Sequence, residues 1–237
     1  MNTTAKRFAY FGPFLLLVAC MTDAGRAELI TNGGFETGTF AGWTVANQTG
    51  SSGNWFIQTG TTSPVNGFTV PAPPQGTHAA MTDQGGPASS VLLQSFTVPP
   101  GSKVSLSFDV YVNNFAGFFS PASLDFTTIP NQQARVDILT AGATPFALGS
   151  SVLDNVFDPL SNTTAYVPET FDITSAVGGG GTFQLRFAVV DNQNAFNLGI
   201  DAVSIVATSA AVPEPDSLIL LAIGMIGLGS RRWALFN

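Results

Sequence analysis

Lys103-Val104-Ser105-Leu106-Ser107-Phe108-Asp109-Val110-Tyr111-Val112 is the stretch that decides the fold. Val104, Leu106, Phe108, Val110 and Val112 fall on one side of an extended chain, and the intervening positions are mostly polar. A period of two with one apolar side is the mark of a strand packed on one face only. Thr182–Val190 repeats it, with Phe183, Leu185, Phe187 and Val189 expected inward and Gln184 and Arg186 outward. Weaker alternations run over 91–98 and 134–139, and turn-rich stretches such as Pro99-Pro100-Gly101 and 178–181 separate the strands. No segment of the middle of the chain carries a convincing helical period. The expectation is an all-β fold, an antiparallel β-sandwich of the jelly-roll kind.

The 237 residues include 25 Gly, 15 Pro and 20 Phe, a composition that suits many turns and aromatic strand packing. Lys and Arg total 8 against 15 Asp and Glu. Between Glu28 and Val212 the basic residues are Lys103, Arg135 and Arg186, too few and too scattered to neutralise a row of phosphates, so nucleic acid is excluded as a partner. The single cysteine, Cys20, lies near the N-terminus and leaves the domain without a disulfide. His78 is the one histidine, which rules out a multi-histidine zinc site.

Both ends read as processing segments. Residues 1–27 have Lys6 and Arg7, an apolar stretch from Phe8 to Cys20 and a small-residue exit at Gly25-Arg26-Ala27, the three parts of a secretory signal peptide cleaved after Ala27. Leu17-Val18-Ala19-Cys20 also matches a lipobox, in which Cys20 would be acylated, so lipidation stays open. The domain is placed at 28–209 and the tail at 210–237. There, Pro213-Glu214-Pro215-Asp216-Ser217 precedes an apolar run, Leu218–Gly229, and then Arg231-Arg232. At about 1.5 Å per residue that run spans roughly 20 Å, short of a ~30 Å hydrocarbon core, so alone it is a marginal membrane anchor.

This tail resembles the PEP-CTERM sorting signal of exported proteins in Gram-negative bacteria that make exopolysaccharide. Pro213, Glu214 and Pro215 match the signature tripeptide, and Arg231 and Arg232 match its basic end, shortened and followed by Trp233–Asn237. The resemblance implies an exosortase that cuts near the Pro-Glu-Pro, and a cell-surface or extracellular-matrix protein held transiently in the membrane by its C-terminal helix. Prolines there stop the helix from extending upstream and leave an extended, accessible peptide.

A second resemblance covers the domain. Leu29-Ile30-Thr31-Asn32-Gly33-Gly34-Phe35-Glu36, and late in the chain Asn197-Leu198-Gly199-Ile200-Asp201-Ala202-Val203-Ser204-Ile205, are similar to the first and last strands of galactose-binding-like jelly rolls, the fold of many carbohydrate-binding modules. In that family a structural calcium often joins those strands, which implies Glu36 and Asp201 as its ligands; the plainer alternative is that Glu36 caps a turn and Asp201 accepts from a nearby backbone amide.

For sugar binding the needed parts are exposed aromatic faces and nearby amides. Tyr111, on the polar side of its strand, leads the candidates, with Trp43 and Trp55; Phe68 also qualifies, and Asn113, Asn114, Gln132 and 192–194 supply amides. Trp43 and Trp55, near the ends of sandwich strands, suit core plugs better than platforms. No pair of carboxylates is marked as catalytic, and an isolated His78 suits a hydrogen-bonded surface residue better than a base. The expected function is non-catalytic: a sorted surface or matrix protein whose sandwich binds extracellular polysaccharide. An extracellular carbohydrate-active enzyme on the same fold, or a purely structural matrix protein, are the alternatives.

Overall fold

In the computed structural model the described residues are 25–209, so the sorting residues Pro213, Glu214, Pro215, Arg231 and Arg232, Cys20 and all of the signal segment before Gly25 lie outside them. Eleven strands follow in order: β1 (Arg26–Glu28), β2 (Thr44–Asn47), β3 (Gly53–Gln58), β4 (Ala79–Gln84), β5 (Ala88–Val98), β6 (Lys103–Asn114), β7 (Gln132–Thr140), β8 (Val152–Phe157), β9 (Val167–Asp172), β10 (Gly181–Asp191) and β11 (Phe196–Thr208). A four-residue helix, α1 (Thr174–Val177), links β9 to β10. One sheet runs β3-β4-β11-β6-β9, with β1 added on β11; the other runs β2-β5-β10-β7-β8. Every pairing is antiparallel. From β4 to β9 the chain crosses between sheets at β4–β5, β5–β6, β6–β7 and β8–β9, and the closing pair β10 and β11 lies centrally in each sheet. That strand order is a jelly roll, so the expected fold class is the observed one.

The alternation in β6 does what its pattern dictates: Val104, Leu106, Phe108, Val110 and Val112 are buried between the sheets against Leu185, Phe187 and Val189 of β10 and Ala134, Val136 and Ile138 of β7. β11 changes phase partway. Leu198 and Ile200 point into the core, then Val203, Ile205 and Ala207 do, because the register with β6 shifts between Asp201 and Ser204, where Ala202 takes φ 50°. A β-bulge adds one unpaired residue and resets the inward face.

The segment 29–36, expected as a first strand, is instead a run of turns. Asn32 and Phe35 have φ of 54° and 56°, and the chain presses so close to β11 that a Cβ on Gly33 would overlap the Val203 carbonyl, while Val203 N–H donates to Gly33 O at 3.0 Å. The paired first strand is β1, opposite Thr208, Ala207 and Val206. The expected cleavage bond after Ala27 therefore lies inside β1. Glu28, the residue that would become the new terminus, anchors itself: its carboxylate accepts from the N–H groups of Leu29, Ile30 and Ile205 and from Ser204 Oγ.

Candidate functional site

Loops cover part of each outward face of the sandwich. On the face carrying Tyr111, the 59–74 segment and Tyr166 form a lid: Tyr111, Met81 and Val70 are buried together, the two tyrosine rings lie 5.8 Å apart, and Tyr166 Oη donates to Gln58 Oε1 at 2.6 Å. Tyr166 stands over Gly199, where a side chain would collide with its ring. Across the sandwich, Leu124, Phe126, Phe146 and Leu148 cover Val91, Leu93, Ala188 and Val190. Gln184 and Arg186 do point outward but button down this cover, donating to the carbonyls of Ala141, Pro145 and Ala147. Arg186 is fully buried and, with Arg135, is held by the buried Asp137.

The three aromatic residues expected to stack on sugars are thus corrected to structural ones. Tyr111 is 5 % exposed beneath Val70 and Tyr166. Trp43 (7 %) is wedged between Phe35 and Phe187 with its Nε1–H on Asn32 O, and Trp55 (2 %) faces the inter-sheet core from β3. A binding platform must show a ring face to solvent, and none of these does.

Glu36 and Asp201 come to the same short segment, 75–78. Glu36 accepts from the N–H groups of Thr77 (2.9 Å) and His78 (2.8 Å), which hold its carboxyl below the usual range, and His78 Nδ1 lies 3.6 Å from it. Asp201, fully buried, accepts from Gln75 N–H (3.0 Å) and Ala202 N–H (2.7 Å), yet burial pushes it up to about 6. Gly34 and Gly76 leave room for oxygens: a Cβ at Gly34 would meet Gln75 Oε1 and one at Gly76 the Glu36 carboxylate. This oxygen-only set, two carboxylates and a carboxamide, has the chemistry a hard cation takes. Among the described residues no three His, Cys, Asp or Glu side chains surround one point, so backbone carbonyls would have to complete a calcium shell.

A third place, which the sequence flagged only in pieces, is a cleft of about 370 Å³ at the end of the sandwich where β4 turns into β5 and β10 into β11. Its lining includes Asn66, Phe68, Gln84, Asp191, Gln193 and Asn194. Phe68 packs on the exposed Phe115 with centroids 4.6 Å apart, making an aromatic ledge, and Val65, Phe119 and Ile129 are also exposed. Of the expected amides, Gln132 and Asn192 are spent on structure. Gln132 accepts from the N–H groups of 192 and 193 and donates to Asn114 Oδ1 and Asn194 O; Asn192 holds the 126–131 turn through both ends of its carboxamide.

Beneath the ledge the inter-sheet core ends in a polar layer. Following the inward phase of each strand past its last apolar residue gives Gln84 after Ala80 and Thr82, Asn114 after Val112, Gln132 before Ala134 and Asp191 after Val189. All four are buried. The Gln84 Nε2 and Asn114 Nδ2 groups have no partner among the described residues. Burial, and then the neighbouring Asp83 carboxylate, push Asp191 up to about 9. Polar residues at core-phase positions of strand ends are the signal that marks this layer in the sequence.

Comparison with known proteins bears on the tail first. Residues 211–232 match the PEP-CTERM protein-sorting motif. The PEP-CTERM tail marks an exported chain sorted by exosortase. No curated protein matches the sequence. Among solved structures, the chain is similar to the carbohydrate-binding module TmCBM61 in complex with β-1,4-galactotriose (14 % identity, 76 % of this chain and 97 % of that one, TM-score 0.48). It is also similar to an apo cyclase from Fischerella sp. (20 %, 80 % and 100 %, 0.47) and to an adhesin domain of Lys-gingipain from Porphyromonas gingivalis (16 %, 77 % and 100 %, 0.45).

Proposed function

We propose that this PEP-CTERM protein is a surface or matrix protein whose jelly roll is a non-catalytic polysaccharide-binding module, with the end cleft as its binding site. The observation that carries the reading is one cleft that combines an aromatic ledge, Phe68 on Phe115, with amide and carboxyl groups beneath it. Pyranose rings offer an apolar face for stacking and hydroxyls for hydrogen bonds, and the cleft supplies both kinds of partner at a size suited to a few sugar units. The loop covers bury Tyr111 on one sheet and Val91, Leu93, Ala188 and Val190 on the other, which removes those stretches as binding faces. β11 starts beside the cleft at Phe196 and runs away from it to Thr208.

The non-catalytic part of the reading rests on the carboxyls. A glycoside hydrolase needs two flanking the scissile bond. Asp83 is fully buried, and its oxygens accept from the N–H groups of Val65, Asn66 and Gln84 and from Asn66 Nδ2, which leaves Asp191 as the one carboxyl among the residues that line the cleft. Removal of residues 1–27, cutting by exosortase near Pro215, transient membrane anchoring by the tail and a structural calcium at Glu36 and Asp201 belong to the same proposal. The test is a glycan array probed with the exported protein, followed by Phe68→Ala and Phe115→Ala. Each substitution should weaken the best hit by about 1–2 kcal/mol with the fold intact. Turnover of a glycan would replace this reading with the enzyme, and an array silent for wild type would replace it with a structural matrix role.

A further inference from the structure

Two groups in the cleft floor are buried and unspent. Asp191 is 3 % exposed and lines the cleft, and its carboxyl takes a hydrogen bond from no other residue among those described. Gln84 is 5 % exposed, and its Nε2 likewise donates to nothing. Folded proteins satisfy nearly all such groups, because a buried polar atom without a partner is costly. Two of them converging on one open cleft are free to take a ligand in place of water.

The charge pattern around Asp191 says which ligand. Its register neighbours, Ala88 of β5 and Gln132 of β7, are uncharged, and Asp83 of β4 adds negative charge behind it. The loops at 66–68 and 192–195 contribute only uncharged residues, so no Lys, Arg or His lines the cleft. A uronic acid or sulfated sugar would bring an anion to a site with no cation. A hydroxyl pairs with Asp191 only in its protonated form and so draws nothing from the charge the acid can carry. An ammonium group supplies both the charge and the N–H donors, and charge-assisted hydrogen bonds are about twice as strong as neutral ones.

Resting on the reading of the cleft as a polysaccharide site, we propose that it selects saccharides carrying a free amine, de-N-acetylated hexosamines, with Asp191 as the counter-charge of the ammonium and Gln84 Nε2 donating to a hydroxyl of the same ring. Phe68 holds the ring face. The pocket keeps Asp191 protonated when free, so capture of an ammonium ionises it and releases the proton to solvent.

The test is titration calorimetry of the full exported protein with β-1,4-linked hexasaccharides of glucosamine, N-acetylglucosamine and glucose. It is run at about pH 6, where an amine is protonated, in two buffers of different ionisation heat. The glucosamine hexasaccharide should bind at least about tenfold tighter than the other two, with release of about one proton. Asp191→Asn should bring the three sugars to within about threefold and abolish the proton release, whereas Phe68→Ala should weaken all three alike. Wild type that binds the glucose or N-acetylglucosamine sugar as tightly as the amine, or Asp191→Asn that keeps the preference, overturns the selectivity and leaves the polysaccharide reading standing. Binding to none of the three overturns the amine selectivity, and a glycan array that is silent as well overturns both.

Discussion

Asp191→Asn also has a consequence for stability that needs no ligand. In the unfolded chain this carboxyl titrates near its ordinary value of 3.8; in the folded protein it is pushed up to about 9, first by burial and then by Asp83. Between those values the native state holds a proton that the unfolded state does not, so stability is fully present below about pH 4 and is lost as pH rises towards 9. At pH 7 the gap of about three units corresponds to at most ~4 kcal/mol, at about 1.4 kcal/mol per unit, and water in the open cleft lowers it to about 2–4 kcal/mol. Asn cannot ionise and carries no such slope. Urea unfolding at about pH 4, 5.5 and 7 should therefore show the variant gaining on wild type as pH rises, by about 2–4 kcal/mol over the range. Any change in packing or hydrogen bonding made by the amide is independent of pH and cancels in that difference. Asp201, pushed up to about 6, adds a slope of the same sign between about pH 4 and 6, but it is common to both proteins. A stability difference that stays constant with pH would refute the account of Asp191 as a desolvated, uncompensated carboxyl.

Tyr111→Ala should lower stability by about 2–4 kcal/mol, approaching the ~3–5 kcal/mol of Phe108→Ala, and leave glycan binding unchanged; thermal melts and an array of both variants check this. Added calcium should raise the melting temperature of the exported protein, and Glu36→Ala or Asp201→Ala should remove most of the gain, since a ligand of the native state alone stabilises it by mass action; a melt indifferent to calcium and chelator would leave the 75–78 segment held by carboxylate-to-amide bonds alone. Intact mass of the surface protein from a host with exosortase should start at Glu28 and end near Pro215. An acylated Cys20 start or an uncut Arg231-Arg232 tail would defeat the processing scheme.

What the sequence could and could not show follows from the range over which its signals act. Alternation in β6 and β10 is local, and the buried stripes it marks are the core that forms. The covers over the outer faces are not local. Ser105, Ser107 and Asp109 beside Tyr111 read as a solvated face, and nothing periodic in 59–74 announces that Val70 will lie on that ring, because the segment is held by isolated ties such as Gln58 Nε2 to Pro71 O at 2.7 Å. An outward-facing aromatic such as Tyr111 therefore reads as a platform although it is covered. The cleft joins residues far apart in the chain, Phe68, Gln84 and Asp191, with Phe115 packed on Phe68, so no motif spans it. Its floor was legible all the same. Carrying the inward phase of β10 two residues beyond Val189 puts an acid where a core residue belongs, and the same step beyond Val112 puts an amide there. A polar side chain at a core-phase strand end is costly unless it meets a partner, so several such ends at one pole of a sandwich mark the place where the core gives way to a site. The polar side of a strand tells only that something other than the core lies opposite.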